Sequence, residues 1–309
     1  MYDLIGDIHG CDLTLLSLLE RLGYHRRDGV HQHPTRHAVF LGDFIDRGPG
    51  QRAVLDIVRP MIDAGHASAV MGNHEFDAIA YATPDPAGGF LRRHSDKNIR
   101  QHRGFVEAFA GEPEAYADAI AWFRTLPLWL DLDGVRVVHA CWDGQAMGRI
   151  LQAQQGSARL GDELLLAACT RPGWEYEAVK TLLKGKELPL TEGASYPDKE
   201  GRLRHIMRVR WWDREARTYR DAFMGPESAL THIPEDDIHG QHLIEYSTDE
   251  PPVFLGHYWL EGQPQPLASN IACLDYSIGR PGGRLTAYRW QGESALRTEH
   301  FVTVPRIEP

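Results

Sequence analysis

Three short polar segments, each closing a brief apolar run, constrain this chain more than any other feature. GDIHG spans Gly6 to Gly10 after the run Tyr2–Ile5, GDFIDRG spans Gly42 to Gly48 after Ala38–Leu41, and GNHE spans Gly72 to Glu75 after Ser68–Met71. The runs read as buried strands and the stretches between them as helices. Leu13, Leu16, Leu19 and Leu22 recur at helical spacing behind Asp12 as a cap. A second helical stretch runs from Gln51 to Ile62 with Pro49 at its entrance. Alternation of strand and helix implies a parallel sheet, in which ligands gather at the carboxyl ends of the strands. All three segments are therefore expected in one crevice.

Further along, the pattern is mostly helical from Phe76 to Phe123. Pro127–Leu132, the Asp133-Gly134 pair and Val135–His139 then read as a hairpin with a tight primed turn. From Gly144 to Pro252 the texture changes: charged, Pro/Gly-rich stretches interrupt two helical patterns, and Trp174, Trp211 and Trp212 stand among arginines. We expect residues 144–252 to be an insertion or cap within one domain spanning residues 1–309. Strand patterns return at Val253–Leu255, Ile271–Leu274 and Arg284–Trp290. The sequence shows no internal repeats and no low-complexity tracts.

Composition narrows the function classes. With 309 residues, 42% hydrophobic and 25% charged, the chain has the make-up of an ordinary globular protein, which excludes a collagen-like, disordered or membrane-embedded one. No apolar run approaches the roughly 18 residues needed to span a bilayer, so no membrane partner is expected. Met1 leads straight into a strand without a basic or long apolar leader, so a cytoplasmic location is expected. The 33 basic and 43 acidic residues give a net charge of −10, which disfavours extended nucleic-acid binding and makes any phosphate chemistry local. Cys11, Cys141, Cys169 and Cys273 are scattered without a CxxC pair, which fits a reducing compartment and neither a disulfide framework nor a zinc knuckle.

Asp7 and His9 are two residues apart, so both reach one metal ion if the strand stays extended there. Asp43 and Asn73 follow separate strands and offer oxygen; His139 ends the hairpin, His257 sits in LGHYW, and both offer imidazole nitrogen. Oxygen and nitrogen donors without thiolate suit Mn, Fe or Zn, and two such ions about 3.5 to 4 Å apart need a bridging carboxylate. Blander readings stand beside these. Gly-Asp and Asn-His pairs also end strands for local reasons, and Asp46 and Arg47 can simply pair in a turn. His31, His33 and His37 near Pro34 are expected to form a solvated connection rather than a metal tract. Cys11 and Cys141 are expected to pack, and Trp211-Trp212 to cover a core edge rather than stack a nucleobase.

In their order, these motifs resemble those of the calcineurin-like metallophosphoesterases, specifically the phosphoprotein-phosphatase branch, whose pattern runs GDxHG, GDxVDRG, GNHE, a later His and a final GH. The chain departs from it at Ile45, in place of Val, and at His139-Ala140-Cys141, where many members follow the His with glycines. The resemblance implies an α/β/α layered fold: two packed mixed sheets flanked by helices, with metals at the loop edge. It implies two divalent metal ions, manganese first and Fe, Zn or Ni as alternatives. Asp7, His9 and Asp43 would hold the first, Asp43, Asn73, His139 and His257 the second, with Asp43 bridging. The implied reaction is attack on phosphorus by a metal-bridged hydroxide. By formal addition, two ligand carboxylates and two divalent ions leave the site at about +2, or about +1 with hydroxide, a small cationic focus on an anionic protein. His74 resembles the histidine that protonates or stabilises the leaving oxygen, Asp46 the carboxylate that orients it, and Arg47 a fork for two phosphoryl oxygens. A second phosphate-binding arginine is expected at Arg208 or Arg210, within RHIMRVRWWDREARTYR.

Asp46-Arg47-Gly48 and His74-Glu75 are similar to protein Ser/Thr phosphatases and their bacterial relatives. FLGHYWLEGQP and CLDYSIGRPGGRLTAYRW resemble symmetrical diadenosine tetraphosphatases. This reading puts a phosphatase for phosphomonoesters, phosphoproteins among them, first, and symmetrical dinucleoside tetraphosphate hydrolysis second, with the 144–252 segment deciding between them. The expected partner is accordingly a phosphorylated small molecule, a nucleotide or a phosphoprotein; the oligomeric state is not legible. A phosphate-binding protein without turnover is the alternative from another class, and the intact His74, Asp46 and Arg47 argue against it.

Overall fold

The structure, a computed structural model, describes residues 1–197 and 201–307. The opening alternation forms β1 (Tyr2–Ile5), α1 (Asp12–Leu22), a hairpin of β2 (His25–Arg27) and β3 (Val30–Gln32), β4 (His37–Phe40), α2 (Gln51–Asp63), β5 (Ala67–Ala69) and α3 (Asn73–Ala82). As expected, β1 pairs in parallel with β4, and β4 with β5. The stripe on α1 differs from the expected one: Leu15, Leu18, Leu19 and Leu22 are buried, whereas Leu13 and Leu16 face solvent. The buried set follows i, i+3, i+4, i+7, the face a helix presents to a core, rather than a single i+3 row. Its N-cap is Cys11, one residue before Asp12.

Of the three early histidines, His31 lies on a hairpin strand and His37 on β4, whereas His33 sits in the connection between them, near Pro34 as expected. Asp28 and Gly29 take φ of 50° and 85°, the geometry of a primed turn, and place His31 on β3. His33 Nδ1 accepts the backbone N–H groups of Thr35 and Arg36, and His37 opens β4 with its Nε2 2.9 Å from Ser68 Oγ.

Downstream come α4 (Asp96–Ala108), α5 (Pro113–Phe123), the antiparallel hairpin β6 (Trp129–Leu132) and β7 (Val135–Val138), then α6 (Gly144–Ala153), α7 (Asp162–Ala168) and α8 (Trp174–Lys184). A small irregular region carries β8 (Glu187–Pro189), β9 (Tyr196–Pro197), β10 (Leu203–Arg204), β11 (Ile206–Arg208) and α9 (Tyr219–Ala222). The chain closes with β12 (Val253–Leu255), β13 (Ile271–Cys273), β14 (Asp275–Tyr276), β15 (Arg284–Trp290) and β16 (Phe301–Pro305). Two mixed sheets result. One runs β14-β15-β1-β4-β5 with β16 also on β15; the other runs β13-β12-β7-β6. β15 lies antiparallel to β1, whereas β12 joins β7 and β13 in parallel.

The sheets pack face to face. Leu4, Val39 and Leu41 meet Val135, Val137, Phe254 and Ala272 in the layer between them. Their strand neighbours Ile5, Ala38 and Phe40 point the other way, into the core that Leu15, Leu19, Val54 and Val58 of α1 and α2 share. Strands buried on both faces explain the unbroken apolar runs, and truncating Leu4 to Ala there is expected to cost about 2–5 kcal/mol. Between residues 144 and 252 the chain does two things. α6 to α8 bury Ile150, Leu164, Val179 and Leu182 in the main core, whereas Met207, Val209, Tyr219, Phe223 and Ile233 form a separate small cluster. Trp211 and Trp212 belong to the main core, with Trp211 Nε1 donating to the Ala140 carbonyl.

Candidate metal centre and substrate cavity

Each candidate ligand follows a strand. Asp7 and His9 follow β1, Asp43 follows β4, Asn73 opens α3 after β5, His139 follows β7 and His257 follows β12. The first sheet thus supplies four donors and the second two. Asp7 and His9 do not meet through an extended strand: β1 ends at Ile5, and His9 has φ of 48° in a turn. Asp43, Asp46, Arg47 and His257 also have positive φ, between 52° and 72°. Left-handed backbone costs a non-glycine residue about 1–3 kcal/mol, and such strain gathers at functional sites. Glycines allow the close approach: a Cβ on Gly42 would strike Gly72, and one on Gly256 would strike Asp7 Oδ1.

The donors are buried and aimed at one another. His9 Nε2 lies 4.0 Å from Asp7 Oδ2 and 3.7 Å from Asp43 Oδ2. His139 Nε2 lies 3.3 Å from Asn73 Oδ1 and 3.4 Å from Asp43 Oδ1. Atoms that share one ion at about 2.1 Å stand about 3 to 3.5 Å apart, so these spacings suit cations with little adjustment. Asp7 Oδ1, His9 Nε2 and His257 Nε2 are buried with no hydrogen-bond partner among the described residues. Uncompensated polar atoms at this depth are costly, and a pair of cations would satisfy all three. Donor tautomers are set from behind: His9 Nδ1 bonds to the Ile45 carbonyl at 3.1 Å and His139 Nδ1 to the Leu41 carbonyl at 2.7 Å, which turns both Nε2 atoms to the centre. The sheets are stitched there too, because Asp7 Oδ2 accepts the His257 backbone N–H at 3.0 Å.

Charge divides the histidines. Burial, helped by His74, pushes His9 down to about 3, so it is neutral at any ordinary pH. Burial also acts against charge on His139, but the Asp43 carboxylate outweighs it and raises His139 to about 10. Asp46 is held below the usual carboxylate range despite its burial, because His102 and His74 donate to it. His74 Nδ1 is 2.5 Å from Asp46 Oδ2, and His102 Nδ1 is 3.1 Å from Asp46 Oδ1. His74 is raised overall: burial opposes the shift, while Asp43 and Asp46 drive it.

A cavity of about 440 Å³ opens over Asp43, Asn73, His74 and His257. Arg47 lines it with its guanidinium 4.2 Å from the Trp259 ring centre, and Arg208 lines it as well. Arg210, the other arginine expected to bind phosphate, is exposed and does not line the cavity: past Met207 and Val209, which are buried in the small cluster, it leaves β11 for the surface. Eight lining residues are Lys or Arg against three carboxylates. On α8, Tyr176, Lys180 and Lys184 recur one turn apart along the wall, and Lys184 Nζ is 3.0 Å from Asp77 Oδ1.

Several residues at the site carry no expected role. Glu75 accepts the backbone N–H groups of Asp43, Phe44 and Gly72. Asp275, buried on β14, accepts those of Trp259 and Ser277. His102 and Trp259 come from segments whose pattern reads as ordinary helix and loop. Glu75 had a sequence signal in its place within GNHE, and Asp275 in its place directly after a strand run.

Fold and donor set together define a two-sheet α/β sandwich with a buried oxygen and nitrogen cluster that suits divalent metals. A family profile described as calcineurin-like phosphoesterase matches residues 2–257, and the chain belongs to that family. Among curated relatives, the asymmetrical bis(5'-nucleosyl)-tetraphosphatase PrpE of Halalkalibacterium halodurans is 42% identical over 74 residues, 24% of this chain and 30% of that protein. The protein of the same name from Bacillus subtilis is 42% identical over 86 residues, 28% of this chain and 35% of its own length. The chain thus matches about a third of the length of these relatives. A solved variant of a cold-active protein tyrosine phosphatase shares the fold, with a TM-score of 0.51 at 19% identity over 93% of this chain and 74% of that one. No described helix is long and apolar enough to cross a membrane.

Proposed function

We propose that the protein hydrolyses phosphoesters at a two-cation centre held by Asp7, His9, Asp43, Asn73, His139 and His257, with nucleotides carrying a chain of phosphates as its preferred substrates. The observation that carries the substrate class is the cavity lining, with eight basic residues against three carboxylates on a chain of net charge −10. A single phosphomonoester of charge about −2 has no use for so many cations, whereas a polyphosphate does. Tyr176, Lys180 and Lys184 span about 12 Å along α8 at 1.5 Å per residue, a track on which several linked phosphates fit. The names of the PrpE relatives point the same way.

In this reading, two divalent cations supply a nucleophilic water and neutralise phosphoryl charge when bound, and the oxygen and nitrogen donors favour manganese, then iron, zinc or nickel. Arg47, steadied against Trp259, and Arg208 grip the phosphoryl oxygens. His74, tied through Nδ1 to Asp46, presents Nε2 to the leaving oxygen and gives it a proton. The small cluster around Met207 carries Arg208 and Arg204 on the cavity wall, which supports its part as a specificity cap. We place its work in the cytoplasm, the reducing compartment that scattered cysteines without a CxxC pair suit.

The test is a manganese-loaded panel of diadenosine tetraphosphate, p-nitrophenyl phosphate and phosphopeptides. We expect kcat/KM to be at least about tenfold higher for the tetraphosphate, the ratio that about 1.4 kcal/mol of added binding in the transition state gives. Phosphomonoester hydrolysis, which the Asp46-Arg47 and His74-Glu75 motifs put first, uses the same centre. A panel in which monoesters or phosphopeptides win would restore that order, and turnover of none would mark a phosphate binder.

A further inference from the structure

We propose that His102 is a positioning residue for the leaving-group histidine, acting through the shared carboxylate of Asp46. The inference rests on the reading of His74 as proton donor to the leaving oxygen, and on geometry that reading does not use. Asp46 is 1% exposed and both its oxygens are engaged by histidines, His74 on Oδ2 and His102 on Oδ1. A carboxylate with one donor turns easily about its last torsion; a second donor on the other oxygen fixes its plane. With that plane fixed, the His74 ring has one direction in which to hang, and its Nε2 faces the cavity side of Asp43 at 3.8 Å.

His102 is built for that task. It is 3% exposed on α4, between Tyr81 and Phe105, whose ring centres lie 5.1 Å from its own. Its Nε2 has no hydrogen-bond partner among the described residues, so its one polar contact there is with Asp46. The proton therefore belongs on Nδ1, where a carboxylate accepts it, leaving Nε2 as the bare acceptor. The backbone around Asp46 is pinned separately, since its N–H donates to Gln51 Oε1 at 2.7 Å, which leaves the side-chain plane to His102.

The experiment uses the manganese-loaded full chain with phenyl phosphate, whose leaving group needs a proton, and p-nitrophenyl phosphate, whose phenolate departs more readily without one. His102→Phe keeps the shape and removes the donor; His102→Asn places an amide N–H near the Nδ1 position; His102→Gln places one near Nε2 instead. We expect His102→Phe and His102→Gln to lower kcat for phenyl phosphate by about tenfold or more, to lower it less for p-nitrophenyl phosphate, and to leave KM within about twofold. His102→Asn should recover most of the loss. Equal losses on both substrates, or an Asn variant no better than the Gln variant, would show a packing role and overturn the proposal. His74→Asn is the control: if it leaves phenyl phosphate turnover intact, the leaving-group reading fails. If it lowers turnover while His102→Phe and His102→Gln match wild type, only the role of His102 falls.

Discussion

The Glu75 carboxylate accepts the backbone N–H of Asp43 at 2.8 Å, so the first turn of α3 holds this aspartate, the proposed metal bridge, in its left-handed conformation. The same carboxylate takes the N–H groups of Phe44 and Gly72 and thereby ties the ends of β4 and β5 together. Glu75→Ala leaves three buried donors unmade, at about 1 kcal/mol or more each. We expect a loss of about 3 kcal/mol or more in thermal or denaturant unfolding, accompanied by weaker manganese binding. An unchanged midpoint would show that water replaces the clamp at no cost.

His74 and Asp43 should separate chemistry from metal binding. His74→Ala is expected to lower kcat by about 10²–10⁴ with both ions retained by elemental analysis. Asp43→Asn should instead lower the metal content, since it removes charge from the carboxylate on which His9 and His139 converge. Two tightly held ions in that variant would refute a bridging role.

Metal uptake should release a proton. His139 is raised to about 10 against an ordinary 6.5, so its contribution to the stability of the metal-free fold is complete below pH 6.5 and lost as pH rises through about 10. Glu75 is raised from 4.5 to about 7, chiefly by burial and then by Asp43. The metal-free fold therefore holds a proton that the unfolded chain has released, and it loses stability as pH climbs between those values. Both shifts make the metal-free protein less stable toward higher pH. A cation needs His139 neutral, so its apparent affinity should rise about tenfold per pH unit near neutrality. Calorimetry in buffers of different ionisation enthalpy reads the proton directly, and His139→Gln should abolish its release.

Removing distal cations should discriminate by substrate. Arg171 and Arg204 line the cavity without touching the proposed metal ligands. The double Ala variant is expected to raise KM for diadenosine tetraphosphate by about tenfold, near the worth of one charge-assisted contact, with phenyl phosphate unaffected. A rise for both substrates would place these arginines at the scissile phosphate instead.

Much of this centre was legible because its residues sit at predictable places on strands. Asp7, Asp43 and Asn73 follow apolar runs, and parallel pairing then forces their convergence. The hairpin turn at Asp133-Gly134 placed His139 by the same logic. An identical signal at Asp28-Gly29 encodes the turn between β2 and β3 equally well. What sequence could not supply was contact between segments distant in the chain. His102 meets Asp46 across 56 positions, and no periodicity encodes that meeting. Nor does pattern distinguish Arg208 from Arg210, since both follow alternate positions and only the path of the chain after β11 separates them. The left-handed turn at His9 replaced an extended strand for a similar reason: it is set by its tertiary partners, the Asp43 and Ile45 carbonyls.

Four donors come from one sheet and two from the other, with Asp7 bonded across the seam to His257. Asp7, His9 and Asp43 all follow strands of one sheet, but the set of Asp43, Asn73, His139 and His257 is incomplete until the halves of the sandwich have docked. Bound ions would therefore act as rivets between the layers, and chelation should loosen the joint before it melts either half. Hydrogen exchange after chelation would then quicken first at Gly256 and His257 and last in the middle of β1 and β4.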